Sequence, residues 1–184
     1  MDKRDEKTLK VIKDTTLEQF KSKNIDQITI TSICKEANIS RSTFYLHYAN
    51  IGDLINQIED ELIDPIFKIC LQFNKNNIRD QFIEIAKYIR LNHKIYQTII
   101  KKGADHFESR ARKRINELMN LYLNYKSNDV FAKYYYFFVL NGAIGVFKSW
   151  ILDNCKYDEK EIINNFISNI KISLSDLTYT ESIK

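Results

Sequence analysis

The run Ser40-Arg41-Ser42-Thr43 puts one guanidinium and three hydroxyls into four consecutive residues, with Tyr45, Leu46 and His47 close behind. Such a set suits outward hydrogen bonding. An arginine fork matches either a guanine edge or a phosphate, and hydroxyls suit both partners. Other chemistry has fewer footholds. The histidines (His47, His93, His106) are scattered, and Cys34, Cys70 and Cys155 lie far apart without CxxC or Cys/His spacing. No metal site, cofactor or disulfide framework is expected, and the thiols read as reduced. Cys34 itself reads as a small buried hydrophobe. Without a phosphate loop, a nucleophile elbow or paired carboxylates in a glycine-framed site, the chain does not read as an enzyme.

Those polar residues need a scaffold, and residues 29–48 spell one out: TITSICKEANISRSTFYLHY. Thr29 is an N-cap type, and Ile33, Cys34 and Ala37 form the apolar stripe of a short helix. Asn38 follows where a left-handed residue commonly ends a helix. Ser40 is a second N-cap, opening a helix over 41–47 with Phe44 and Tyr48 facing inward. Two short capped helices joined by a tight turn make a helix-turn-helix, whose second helix enters the major groove of DNA by its N-terminal end.

Around this motif the chain reads as all helix. One proline and four glycines in 184 residues leave too little turn punctuation for a β-rich fold. An amphipathic helix over 4–22 carries Leu9, Ile12, Thr16, Leu17 and Phe20 on one stripe. Asn50, with Asp53 three residues on, predicts a further start through Leu54, Ile58 and Leu62, with Pro65 kinking or restarting that helix. Segments follow at 66–73, 78–91, 93–101, 104–125, 129–152 and 158–174. The most apolar stretch, Tyr134 to Phe147, is too short to span a membrane and contains Asn141. The mixed-charge N-terminus shows no signal peptide, so a cytoplasmic location is expected.

Bulk charge decides little. The net charge is +4, and residues 1–50 hold nine Lys/Arg against seven Asp/Glu, so DNA affinity must come from placement. The basic cluster Lys101, Lys102, Arg110, Arg112, Lys113 and Arg114 reads as a solvated face, with an anionic ligand or partner as the sharper alternative.

The helix-turn-helix resembles that of the TetR family of bacterial transcriptional regulators. The match runs through Thr29, Ile33, Cys34, Ala37, Asn38, Ile39, Ser40, Thr43, Phe44, Tyr45, His47 and Tyr48. The resemblance implies an N-terminal three-helix head over 1–48 and a helical ligand-binding and dimerisation body over 49–184, about nine helices in all. It implies DNA contact by Thr29, Ser40, Arg41, Ser42, Thr43, Tyr45, Leu46 and His47, the tyrosine and histidine at or near phosphates. Relatives often carry a lysine in the first turn of the next helix, where this chain has Ile51 and then Gly52. Backbone N–H groups would have to serve there instead.

For the body, the resemblance implies a homodimer built by the last two helices, with Gly142, Gly145, Phe166 and Ile170 as interface candidates. It also implies a small-molecule pocket, to which Phe67, Tyr88, Tyr96, Phe107 and Trp150 are assigned, favouring an apolar or aromatic effector. The expected partners are thus a pseudo-palindromic operator in double-stranded DNA, that effector and a second copy of the chain. Repression relieved by effector is the expected activity. The stretch Phe138 to Asn154 is similar to C-terminal domains of dihydroxyacetone kinase operon regulators, which keeps open an activator working with a protein partner.

Overall fold

The computed structural model describes residues 3–72, 77–123 and 130–169. Among them are eight α-helices, one 3₁₀ turn and no strand. The helices are α1 (Lys3–Ser22), α2 (Ile30–Glu36), α3 (Arg41–His47), α4 (Ile51–Cys70), α5 (Ile78–Leu91), α6 (His93–Leu123), α7 (Val130–Leu152) and α8 (Glu159–Asn169). Ile170 and the end of the segment expected to reach 174 lie outside the described residues. No described helix is long and apolar enough to cross a membrane.

Two expected breaks are absent. Helix α4 runs through Pro65 instead of restarting there. Proline removes one backbone donor, but Leu62, Ile63 and Cys70 on either side are buried and keep the helix packed. Helix α6 likewise joins the segments expected at 93–101 and 104–125, with Gly103 inside it. A helical glycine costs only about 1 kcal/mol relative to alanine, too little to end a helix of this length. The 3₁₀ turn Ile25–Gln27, closed by the Asn24 N–H donating to Gln27 Oε1 at 2.9 Å, has no counterpart in the sequence reading.

The chain divides into two compact units: Met1–Asp64 with Thr98–Glu108, and Pro65–Gln97 with Ser109–Lys184. In the first, α1 packs on α2 and α2 on α3. Ile12, Phe20, Ile33, Phe44, Tyr48 and Leu54 are buried in its core. Buried Gln19 ties the head together: its amide donates to Glu36 Oε2 at 2.8 Å, and its carbonyl accepts from the Ser32 hydroxyl at 2.8 Å. A second polar tie joins α4 to α6, where His106 Nδ1 lies 2.9 Å from the buried Glu59 carboxylate.

In the second unit α5 packs on α8 and α7. Phe82 meets Phe166 edge-on at 5.8 Å. The α7–α8 connection is held at both ends. Asn154 and Cys155 take left-handed φ of 58° and 50°, letting the Cys155 N–H reach the Trp150 carbonyl at 2.8 Å. Gln97 donates to the carbonyls of Ile151 and Leu152 at 3.3 and 3.2 Å, satisfying acceptors that a helix end leaves open. Asp158 accepts from the Lys160 N–H at 2.8 Å to start α8, which holds its carboxyl below the usual range.

Candidate nucleic-acid interface

The caps form as the residue types require. Thr29 Oγ1 accepts from the Ser32 N–H at 3.1 Å and Ser32 Oγ from the Thr29 N–H at 3.2 Å, closing a reciprocal box on α2. Asn38 sits at φ 52°, turning the chain toward α3. Ser40 Oγ accepts from the Thr43 N–H at 3.0 Å and also lies 2.7 and 2.8 Å from the hydroxyls of Ser42 and Thr43. Asn50 caps α4 through the Asp53 N–H at 2.9 Å, and the Asp53 carboxylate reaches back to the Ala49 N–H at 2.9 Å. The second bond lands one residue earlier than a regular box would place it.

Helix α3 is therefore fixed at its start by Ser40 and at its inner face by Phe44, which is fully buried and stacks against Tyr48 at 5.6 Å. What remains faces outward. Thr29, Ser40, Arg41, Ser42, Tyr45 and Leu46 are exposed, and Thr43 and His47 are half-buried. The eight residues singled out from sequence thus all keep solvent-accessible surface. Arg41 Nη2 donates to the hydroxyl of Thr31, in the first turn of α2. Sequence reasoning missed Thr31, because nothing in a ten-residue separation marks it as Arg41's partner. That bond occupies one of the five guanidinium donors and leaves the others available.

Cys34 is buried beneath the turn, with Sγ 3.8 Å from the Ser40 carbonyl. Burial raises its pKa and the nearby Arg41 charge opposes that only in part, as suits a small apolar filler. Tyr48 is a less comfortable core residue. Its hydroxyl is buried and finds no partner among the described residues. Burial first, then the charges of Glu61 and Asp53, push it up to about 12. An unpaired buried hydroxyl costs about 1–3 kcal/mol, so Tyr48→Phe is expected to stabilise the head by about 1 kcal/mol or more. A thermal melt of the variant at or below wild type would refute this.

Likeness to known families decides what this motif belongs to. Residues 12–58 match the bacterial regulatory proteins of the tetR family, and residues 76–171 match a transcriptional regulator C-terminal region. The chain belongs to the TetR family. It is a TetR-family transcriptional regulator of all-helical fold. Solved structures agree in fold. A TetR transcriptional regulator from Streptococcus agalactiae matches at 19% identity and TM-score 0.70, over 92% of this chain and 96% of its own. NalD, the secondary repressor of the MexAB-OprM multidrug efflux pump in Pseudomonas aeruginosa, matches at 15% and 0.68, over 89% and 94%. The dihydroxyacetone kinase operon activator DhaS matches at 17% and 0.56, over 92% and 95%. No curated protein matches.

The body candidates fall into different surroundings. Phe67, Tyr88, Tyr96 and Trp150 belong to the second unit, while Phe107 belongs to the first. Tyr88 and Tyr96 meet edge-on at 6.5 Å. Phe67 carries the Arg114 guanidinium at 5.0 Å from its ring. Trp150 is buried, donates its indole N–H to the Tyr157 carbonyl at 3.1 Å and carries Arg90 at 5.2 Å. It therefore braces the α7–α8 connection. Within the basic cluster, Arg112 donates to Asn141 and Arg114 pairs with Glu117 at 3.5 Å.

Among the dimer candidates, Gly142 faces Phe166 of its own chain, whose ring edge would lie 3.8 Å from an added Cβ. Gly145 has open space around it. It belongs to an exposed stripe on α7 formed by Tyr134, Phe138, Asn141, Gly145, Ser149 and Leu152. These recur at three- and four-residue spacing, so they share one helix face.

Proposed function

We propose that this regulator is a cytoplasmic homodimeric repressor, released from a pseudo-palindromic operator by a small-molecule effector. Residues 1–48 serve as the DNA-binding part and 49–184 as the ligand-binding and dimerisation part. The observation that carries the reading is the outer side of α3, where exposed polar side chains are held over a buried Phe44–Tyr48 base. Arg41 reads a guanine edge or holds a phosphate, Ser42 and Thr43 add hydroxyls, and Tyr45 and His47 approach phosphates. The α4 start supplies backbone N–H groups at Ile51 and Gly52 in place of a lysine.

Two copies joined along the α7 stripe present two heads to successive major-groove faces, about 34–36 Å apart or a multiple of that. An apolar or aromatic effector favours a head spacing that no longer fits, and its coupling equals its differential affinity for the two states. Tyr88 and Tyr96, which meet edge-on at 6.5 Å, are the body residues assigned to that effector. Mass spectrometry of the purified protein for a retained small molecule tests it.

Replacing Arg41 by alanine is expected to weaken operator binding by about 1–3 kcal/mol. A base reader would also lose preference at one position, whereas a phosphate contact would lower the salt slope by about one. Unchanged affinity would show that Arg41 points elsewhere. A reporter on the chain's own promoter, in a strain lacking the chain, tests the sign of regulation. Rising expression means repression, and falling expression means the activator alternative suggested by the likeness to DhaS.

A further inference from the structure

Leu46 is 81% exposed, more than any other large apolar side chain described in the first unit. Its position on α3 is as telling as its exposure. At about 100° per residue, the buried direction set by Phe44 and Tyr48 lies about 180° from Leu46. Leu46 therefore marks the apex of the outward face. Ser42, four residues earlier and also exposed, lies within about 40° of that line and about 6 Å along the axis. Tyr45 flanks the apex on one side and Thr43 and His47 on the other, while Arg41, at the start of the helix, lies about 140° from it.

A helix laid in the major groove turns its apex to the groove floor, where base edges lie, and its flanks to the phosphate walls. Hydroxyls and a guanidinium can satisfy polar base edges there. Leucine cannot, and a base edge dehydrated against it would lose hydrogen bonds without replacement. Among the groups a base pair shows in the major groove, the apolar one is the C5-methyl of thymine. We infer that Leu46 reads a thymine in each half-site through its C5-methyl group. Ser42 then meets a base pair about two steps away, from the ratio of about 6 Å along the helix to about 3.4 Å per base pair. This assignment rests on the DNA-binding reading of α3 and names the chemistry of one position within it.

The test starts from a duplex selected by the full-length wild-type protein out of a random-sequence pool. Each thymine of that duplex is then replaced singly by deoxyuridine, which removes only the methyl. One thymine per half-site should lose about four-fold in affinity for the wild type, the worth of one buried methyl group. Against Leu46→Ala the same substitution should change nothing. Melting of Leu46→Ala alongside wild type shows that the variant is folded. If no thymine methyl matters to the wild type, or if wild type and Leu46→Ala lose equally, Leu46 is not the reader. If no duplex is selected at all, the DNA-binding reading fails and takes this assignment with it.

Discussion

Lysine in place of Phe138 is expected to give a folded monomer that no longer holds an operator. Phe138 and Tyr134 are each 67% exposed, and with Asn141, Gly145, Ser149 and Leu152 they line one face of α7. Burying a phenylalanine gains about 1.5–3 kcal/mol, and a charge at its place in a dry interface reverses that gain. The loss to DNA binding is larger still. Two heads on one dimer bind the second half-site intramolecularly, which is worth about 10²–10⁴ in affinity. Light scattering should report one chain for Phe138→Lys and two for wild type. A dimeric variant with wild-type affinity would remove α7 from the interface.

Phe44→Ala should be the most damaging change within the head. Phe44 is fully buried and meets Tyr45 and Tyr48 at 5.8 and 5.6 Å. Truncating a buried phenylalanine costs about 3–5 kcal/mol. Helices α2 and α3 have seven residues each and share one small core with α1, so that loss should open the motif. A melting transition at lower temperature, together with lost operator binding, is the expected pair of results. Leu46→Ala, two residues away but exposed, should melt within about 0.5 kcal/mol of wild type. A Phe44→Ala protein as stable as wild type would mean that the head does not depend on this packing.

Much of the head was legible because its signals are local. Thr29, Asn38 and Ser40 act within three residues of themselves, and cap chemistry predicts each of them. Inward Phe44 and outward Ser42 follow from helical period alone. What failed was the weighing of local breakers against tertiary packing. The sequence predicts a kink or restart at Pro65 and separate segments at 93–101 and 104–125, yet α4 and α6 are each continuous there, because burial of neighbouring turns outweighs one lost hydrogen bond or a glycine's entropy. The pairs that join distant positions carried no signal at all. Arg41 with Thr31, Gln19 with Glu36 and Ser32, and His106 with Glu59 are set by how helices pack. In the body, Trp150 illustrates the ambiguity of an aromatic at helical spacing. The sequence assigns it to a pocket, and the structure adds a contact to Tyr157 and one to Arg90 that no spacing foretold.

A footprint on the selected duplex tests the central claim most directly. Wild-type protein should protect two half-sites whose centres are about 34–36 Å apart or a multiple of that. The combined variant Arg41→Ala, Ser42→Ala and Leu46→Ala, folded as judged by its melt, should leave the same duplex unprotected. Protection spread evenly along any DNA, or an undiminished footprint from the triple variant, would contradict recognition through the outer face of α3.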